Sequence, residues 1–187
     1  MTPICEQAQC RERKPVESAC KTGYNPPMAA IERNDEREIE RKYLLRALPA
    51  DIARFPSAEI DQGYIPGIRV RERVRRVRDG ETVTYFRTIK LGSGVAKYEF
   101  EELTTEAFFV AVWPLTEGHR VSKRRYRVPF EQHEWEVDEF LDRPGFVLAE
   151  VELNTADERP EPPPAIAAVI VRDVTDEPSY SNYRLSR

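Results

Sequence analysis

Val147-Leu148-Ala149-Glu150-Val151-Glu152-Leu153 decides the fold of this 187-residue chain. Side chains alternate along a strand, so Glu150 and Glu152 share one face while Val147, Ala149, Val151 and Leu153 share the other. If the apolar set packs outward against helices, the two glutamates must point into the interior of the sheet. A small barrel ordinarily fills its inside with apolar side chains, so this strand is inverted. Buried charges are costly unless paired or metal-bound. A charged interior therefore demands mutual neutralisation, water and a ligand.

The inversion recurs upstream. Glu38-Ile39-Glu40-Arg41-Lys42 sends Glu38, Glu40 and Lys42 to one side. Between Arg69 and Arg78 lie six arginines, of which Arg69, Arg71, Arg73 and Arg75 share a face. Asp79-Gly80 then turns the chain into a partner strand that closes with Thr88-Ile89-Lys90. Lys123, Arg125 and Arg127 alternate in a later basic strand, while Glu99 with Glu101, and Glu136 with Asp138, make acidic ones. A tunnel for a polyanion with a divalent metal satisfies all of these faces at once. Arginine and lysine grip phosphate oxygens, and carboxylates hold the metal. The interleaved aromatics Tyr85, Phe86 and Tyr126 are too few for a base-stacking platform and read as outer-face packing. His119 and His133 receive no role.

Eight alternating segments separated by turn chemistry are expected as strands: Glu36–Leu45, Ala58–Ile65, Ile68–Arg78, Thr82–Leu91, Ala96–Glu101, His119–Val128, Glu131–Phe140 and Val147–Asn154. Helical breaks fit Pro49–Phe55, Thr104–Val112 with Thr104 or Thr105 as N-cap, and Pro162–Val171. The predicted fold is α+β: an eight-stranded antiparallel β-barrel with a charged interior and a few flanking helices, against which Trp113 and Trp135 pack.

Composition sets the outer bounds. A charged content of 33% against 40% hydrophobic, with a net charge of only -4, excludes a disordered chain and a globally basic nucleic-acid binder. The longest apolar run, Ala165 to Val171, is too short to cross a bilayer, and Met1-Thr2-Pro3-Ile4 opens no signal-peptide pattern, so a cytoplasmic location is the default expectation. Cys5, Cys10 and Cys20 fit a reducing compartment, and their spacing matches no zinc site. Residues 1–33, with Pro3, Pro15, Pro26 and Pro27, read as a mobile extension ahead of one domain spanning 34–187. Met28 raises the expectation that the first 27 residues are dispensable or follow an upstream start.

Taken in order, these motifs resemble the CYTH superfamily, the triphosphate tunnel metalloenzymes, which includes inorganic, thiamine and RNA triphosphatases and class IV adenylyl cyclases. The resemblance rests on Glu38, Glu40 and Lys42; on Arg69 and Arg71; on Thr88-Ile89-Lys90; on Lys123 and Arg125; on Trp135 to Asp138; and on Glu150 and Glu152. It extends through Asp173-Val174-Thr175 and Tyr180-Ser181-Asn182 and covers about 150 residues from Asp35 onward. One departure is Lys97, where many relatives carry arginine, which keeps the charge and loses the bidentate fork.

The resemblance implies that Glu38, Glu40 and Glu152 ligate Mg²⁺ or Mn²⁺, with Glu150 close by. It implies that Lys42, Arg69, Arg71, Lys90, Lys123 and Arg125 bind the triphosphate. Glu99, Glu101 or Asp138 is the expected residue for orienting the attacking water, with help from Lys123 and with Tyr64 as partner. The implied activity is metal-dependent hydrolysis of inorganic triphosphate or a related compound. The alternative is an adenylyl cyclase making cyclic AMP and pyrophosphate from ATP, and a third reading is a non-catalytic polyphosphate or RNA binding module. The expected partner is a small-molecule triphosphate, with no nucleic acid and no membrane; dimers occur among such relatives, which leaves a homodimer open.

Overall fold

A computed structural model of the chain describes residues 39–187 apart from 68–69, 92–97 and 156, and describes only the backbone of Val70, Arg71, Lys90, Leu91, Tyr98 and Glu99. The expected N-terminal extension, its three cysteines and Met28 lie outside the described residues, as do Glu38, Arg69 and Lys97.

Among the described residues, nine strands form one antiparallel sheet. They are β1 (Ile39–Leu45), β2 (Ser57–Ile65), β3 (Val70–Asp79), β4 (Thr82–Leu91), β5 (Tyr98–Thr104), β6 (Arg120–Phe130), β7 (His133–Phe140), β8 (Val147–Leu153) and β9 (Ile170–Asp173). Their spatial order is β5-β4-β3-β2-β6-β7-β8-β1-β9. The helices are short: α1 (Glu106–Val112), α2 (Pro164–Ala167) and α3 (Asn182–Leu185), with single 3₁₀ turns at Ile52–Arg54, Trp113–Thr116 and Pro178–Tyr180.

Each of the eight expected strands is present within a few residues of its expected bounds. The turns follow the sequence signals: β3 and β4 are joined by Gly80-Glu81, with Gly80 at φ +58°, a conformation that costs glycine nothing. Thr105 caps α1 by accepting from the Phe108 amide at 3.1 Å.

Two expectations are corrected. The helix expected over Pro162–Val171 stops at Ala167, and the β-branched Val169-Ile170-Val171 instead leads into β9, which pairs with the outer edge of β1. Phe86 does not pack on the outer face. It lies opposite Arg75 in the β3–β4 ladder, on the charged side, where the Arg75 guanidinium stacks 4.9 Å from its ring centroid. Adjacent residues of a strand cannot share a face, so Tyr85 and Phe86 had to part.

The apolar core lies on the face away from the charges. Val147, Ala149 and Val151 of β8 pack with Trp135 and Val137 of β7, Tyr126 and Val128 of β6, Leu45 of β1, Ile166 of α2 and Ile52. Trp135 is fully buried and its ring centroid lies 5.7 Å from that of Tyr43. Removing such a side chain typically costs about 3–5 kcal/mol. Trp113 stacks on Phe109 of α1 at 4.8 Å. Where Thr116 is pressed onto β2, the strand carries Gly63: a Cβ there would lie 2.4 Å from the Thr116 hydroxyl oxygen. One end of the charged face is itself apolar, with Val121, Phe140 and Leu148 covered by Val174, Tyr180 and Leu185 of the C-terminal tail.

Candidate active site

Strand register builds the charged face. Cross-strand partners point to the same side of a sheet, and the ladders set Glu40 opposite Glu152, Lys42 opposite Glu150, Glu150 opposite Glu136 and Arg125 opposite Asp138. Ala149 and Val151 of β8 are buried in the core while Glu150 and Glu152 stand on the other side, as their alternation requires.

At the centre of this face, charge is neutralised almost completely. Asp138 has no solvent exposure, and its carboxylate accepts from Lys123 Nζ at 2.5 Å and from Arg125 at 2.7 and 2.6 Å. Arg125 also donates to Glu150 at 2.9 Å and pairs with Glu136. Lys42 Nζ reaches Glu150 at 2.7 Å and Glu40 at 3.4 Å. The protonation states follow. Burial alone would raise the Asp138 carboxyl, but Arg125 and Lys123 outweigh it and hold it well below the usual range. Burial and Asp138 push Glu150 up, yet Arg125, Lys123 and Lys42 keep it lowered. Burial opposes charge on Lys42, but Glu150 and Glu40 raise it above its ordinary value. Arg125 is likewise raised, by Asp138, Glu150 and Glu136 acting against burial. Lys123 goes the other way, since burial and the neighbouring Arg125 prevail over Asp138.

Arginines occupy the other half of the face. Arg73 donates to Thr88 at 3.1 Å and to Glu101 at 3.0 Å, while Arg75 donates to the other oxygen of Glu101 at 2.7 Å. Thr88 donates to Glu101 at 2.7 Å. Burial would raise Glu101, but Arg75, Thr88 and Arg73 lower it. Glu101 therefore sits where an anionic oxygen of a ligand would be welcome. Arg75 also feels Arg125 on β6 and Glu136 on β7, although β2 lies between β3 and β6. The two halves of the face act on one another.

The structure brings together Glu40, Lys42, Lys123, Arg125, Asp138 and Glu150 in one network, with Glu152 beside it. Glu101 lies with the arginines. The backbones of Arg71 and Lys90 face each other in the β3–β4 ladder, and Glu99 is opposite Lys90 on β5. Tyr64 is buried opposite Arg73, with its hydroxyl accepting from Gln62 at 3.2 Å and its ring edge-on to Tyr183 of the tail at 5.3 Å. Arg73, Arg75 and Glu136 were not among the expected site residues. Alternation put Arg73 and Arg75 on the right face, but only the register places them against Thr88 and Phe86.

The carboxylates fit a hard divalent cation in one place. Like charges directly opposite in a ladder are destabilising, and two pairs of acids face each other in this way. Glu136 and Glu150 share Arg125 between them. Glu40 and Glu152 face each other one strand over: Lys42 lies 3.4 Å from Glu40, and the exposed Glu152 forms no ion pair among the described residues. Two facing carboxylates supply the hard oxygen donors that suit Mg²⁺ or Mn²⁺. Among the described residues no group of three acidic, histidine or cysteine side chains converges as a ready-made cage.

Comparison with known proteins agrees with this chemistry. No protein-family model matches the chain. It is 32% identical over 161 residues to an inorganic triphosphatase of Nitrosomonas europaea, an alignment covering 80% of this chain and 96% of that protein. It is also 32% identical over 155 residues to an inorganic triphosphatase of Acetivibrio thermocellus, covering 80% and 92%. Among solved structures, the crystal structure of the inorganic triphosphatase NE1496 matches with a TM-score of 0.59 at 29% identity, covering 80% of this chain and 93% of that one. With near-complete coverage of its relatives and an antiparallel sheet carrying an ordered cationic and acidic face, the chain belongs to the inorganic triphosphatase family.

Proposed function

We propose that the protein hydrolyses inorganic triphosphate, or a closely related triphosphate compound, with a divalent metal ion held at Glu40 and Glu152. The observation that carries this reading is the register that sets Glu40 directly opposite Glu152, two facing acids beside a cluster of buried cations. Glu38, two positions before Glu40 in the sequence, is the third acid of the proposed ligand set, with Glu150 as a fourth. The sheet closes, in this proposal, into the tunnel of the CYTH superfamily. The influence of Arg125 and Glu136 on Arg75, across the intervening β2, supports a strongly coiled sheet whose charged side is the inside.

Hydrolysis of the terminal phosphoryl group forms a bond from water oxygen to phosphorus and breaks the bond to the bridging oxygen, releasing phosphate and pyrophosphate. The bound metal supplies charge neutralisation along the phosphate chain. The protein's own part is positioning and electrostatic stabilisation. Lys42 and Arg125 remain cationic throughout the neutral range, because the acids beside them raise their affinity for the proton. Together with Arg73 and Arg75 they are the proposed binding groups for the phosphates, and the resemblance adds Arg69, Arg71 and Lys90 to that set. Asp138 is occupied by Lys123 and Arg125 and holds both in place. Lys123, the one lysine of the network that its surroundings push down, is the residue suited to orienting the attacking water.

Phosphate release from tripolyphosphate, ATP and thiamine triphosphate, measured side by side with Mg²⁺, with Mn²⁺ and with chelator, tests this. Turnover of tripolyphosphate that stops in chelator is expected. Cyclic AMP from ATP in place of phosphate would overturn it in favour of a cyclase, and binding without any product would leave a polyphosphate-binding module.

A further inference from the structure

The main-chain groups of Lys42 are held by the C-terminal tail rather than by a continuous strand. β9 pairs with β1 as far as Asp173, which lies opposite Tyr43, and the tail then turns away. The next amide, that of Val174, donates to the Lys42 carbonyl at 2.8 Å. No backbone carbonyl follows to receive the Lys42 amide. The Thr175 hydroxyl takes its place, accepting that N–H at 3.0 Å. A side-chain oxygen thus stands in for the missing strand, as hydroxyls do where backbone pairing ends.

Two further contacts set Thr175 in position. The Thr175 amide donates to Asp173 Oδ1 at 2.8 Å, a local turn of the kind aspartate favours, and Arg41 fixes the other Asp173 oxygen at 3.1 Å. Val174 is buried among Val121, Phe140 and Leu148 at the apolar end of the charged face. The two residues that precede Thr175 therefore anchor the tail at this contact.

We propose that Thr175 is a positioning residue for Lys42, fixing the backbone from which this side chain reaches between Glu40 and Glu150 toward the substrate. The proposal rests on the reading of Lys42 as a phosphate-binding residue. Its chemical logic is that Lys42 lies at the junction of two acids, and a small shift of its backbone would seat the ammonium on one acid at the expense of the phosphate.

The test compares Thr175→Val, which keeps the shape and loses the acceptor, with Thr175→Ser, which keeps the hydroxyl. In the full chain with tripolyphosphate, Thr175→Val is expected to raise KM about fivefold with kcat within about twofold, and Thr175→Ser to restore KM to within about twofold. Hydrogen exchange of the Lys42 amide is expected to accelerate at least about tenfold in the valine variant alone. Lys42→Met, measured in parallel, separates the two ideas. An unchanged KM in Lys42→Met would remove the reading of Lys42 and the proposal with it. A raised KM in Lys42→Met with an unchanged KM in Thr175→Val would overturn the positioning role only, as would equal losses in the valine and serine variants. If Thr175→Val does not fold, Asp173→Ala, which removes the acceptor of the Thr175 amide and leaves the hydroxyl, is expected to raise KM in the same direction; no rise there would overturn the proposal.

Discussion

Two pairs of facing glutamates sit within one strand of each other, and the protein treats them in opposite ways. Glu136 and Glu150 are bridged by Arg125, which is itself locked to Asp138. Glu40 and Glu152 face each other with Lys42 beside Glu40. Arg125 offsets the repulsion within the first pair, and the proposed metal ion would offset it within the second.

The largest expected effect breaks the second pair. Glu40→Ala, or Glu152→Ala, should lower tripolyphosphatase activity at least about a hundredfold, with the melting temperature held, because the metal loses a ligand. Steady-state rates and a melting curve on the same sample check both halves of that statement. Full activity in either variant would remove the metal assignment.

Attacking the neutralised centre should act on the fold instead. Asp138→Ala leaves Lys123 and Arg125 without their shared partner in a buried site, and a loss of about 3–5 kcal/mol in unfolding free energy is expected. Chemical denaturation at neutral pH measures it. A loss below about 1 kcal/mol would mean that water or a rearranged Glu150 replaces the aspartate.

The same centre predicts an acid limb of stability. Asp138 and Glu150 are both held below their ordinary values of 3.8 and 4.5, so the folded state binds fewer protons than the unfolded one in that range. Their contribution is present above those ordinary values and is lost as the pH falls through the lower, folded ones. Unfolding free energy should therefore decline below about pH 4.5, and the decline should flatten in Asp138→Asn. An unchanged slope in that variant would contradict the cause assigned here.

The smallest effect is expected from the pair already bridged. Burial, with Asp138 and Glu150 nearby, raises the Glu136 carboxyl despite Arg125, so its ionised form is resisted and glutamine replaces it at little cost. Glu136→Gln should change stability by less than about 1 kcal/mol and leave activity within a few-fold. A loss of metal-dependent turnover comparable to that of Glu40→Ala would erase the distinction between the two pairs.

Much of this was legible in the sequence because alternation survives in a linear text. Glu150-Val151-Glu152 announces its two faces without any neighbour, and the same holds for Glu38 to Lys42 and for Lys123 to Arg127. Register is another matter. Nothing in the chain says that Glu40 faces Glu152 while Glu150 faces Glu136, since that depends on where each ladder begins. The four alternating arginines from Arg69 to Arg75 looked equivalent for the same reason, and only the hairpin register distinguishes Arg73 and Arg75 by giving them Thr88 and Phe86 as partners. The apolar run near Ala165 reads as helix from sequence alone. It became both, because proline starts α2 and the open edge of β1 draws the β-branched residues into β9.

The most direct test of the central claim is the metal dependence of tripolyphosphate hydrolysis, measured as initial rates over a titration of Mg²⁺ for the unmodified protein, Glu152→Gln and Glu136→Gln. The expected result is a half-saturating Mg²⁺ concentration that rises at least about tenfold in Glu152→Gln and stays within about twofold in Glu136→Gln. Equal metal dependence in all three, or full turnover in chelator, would contradict it.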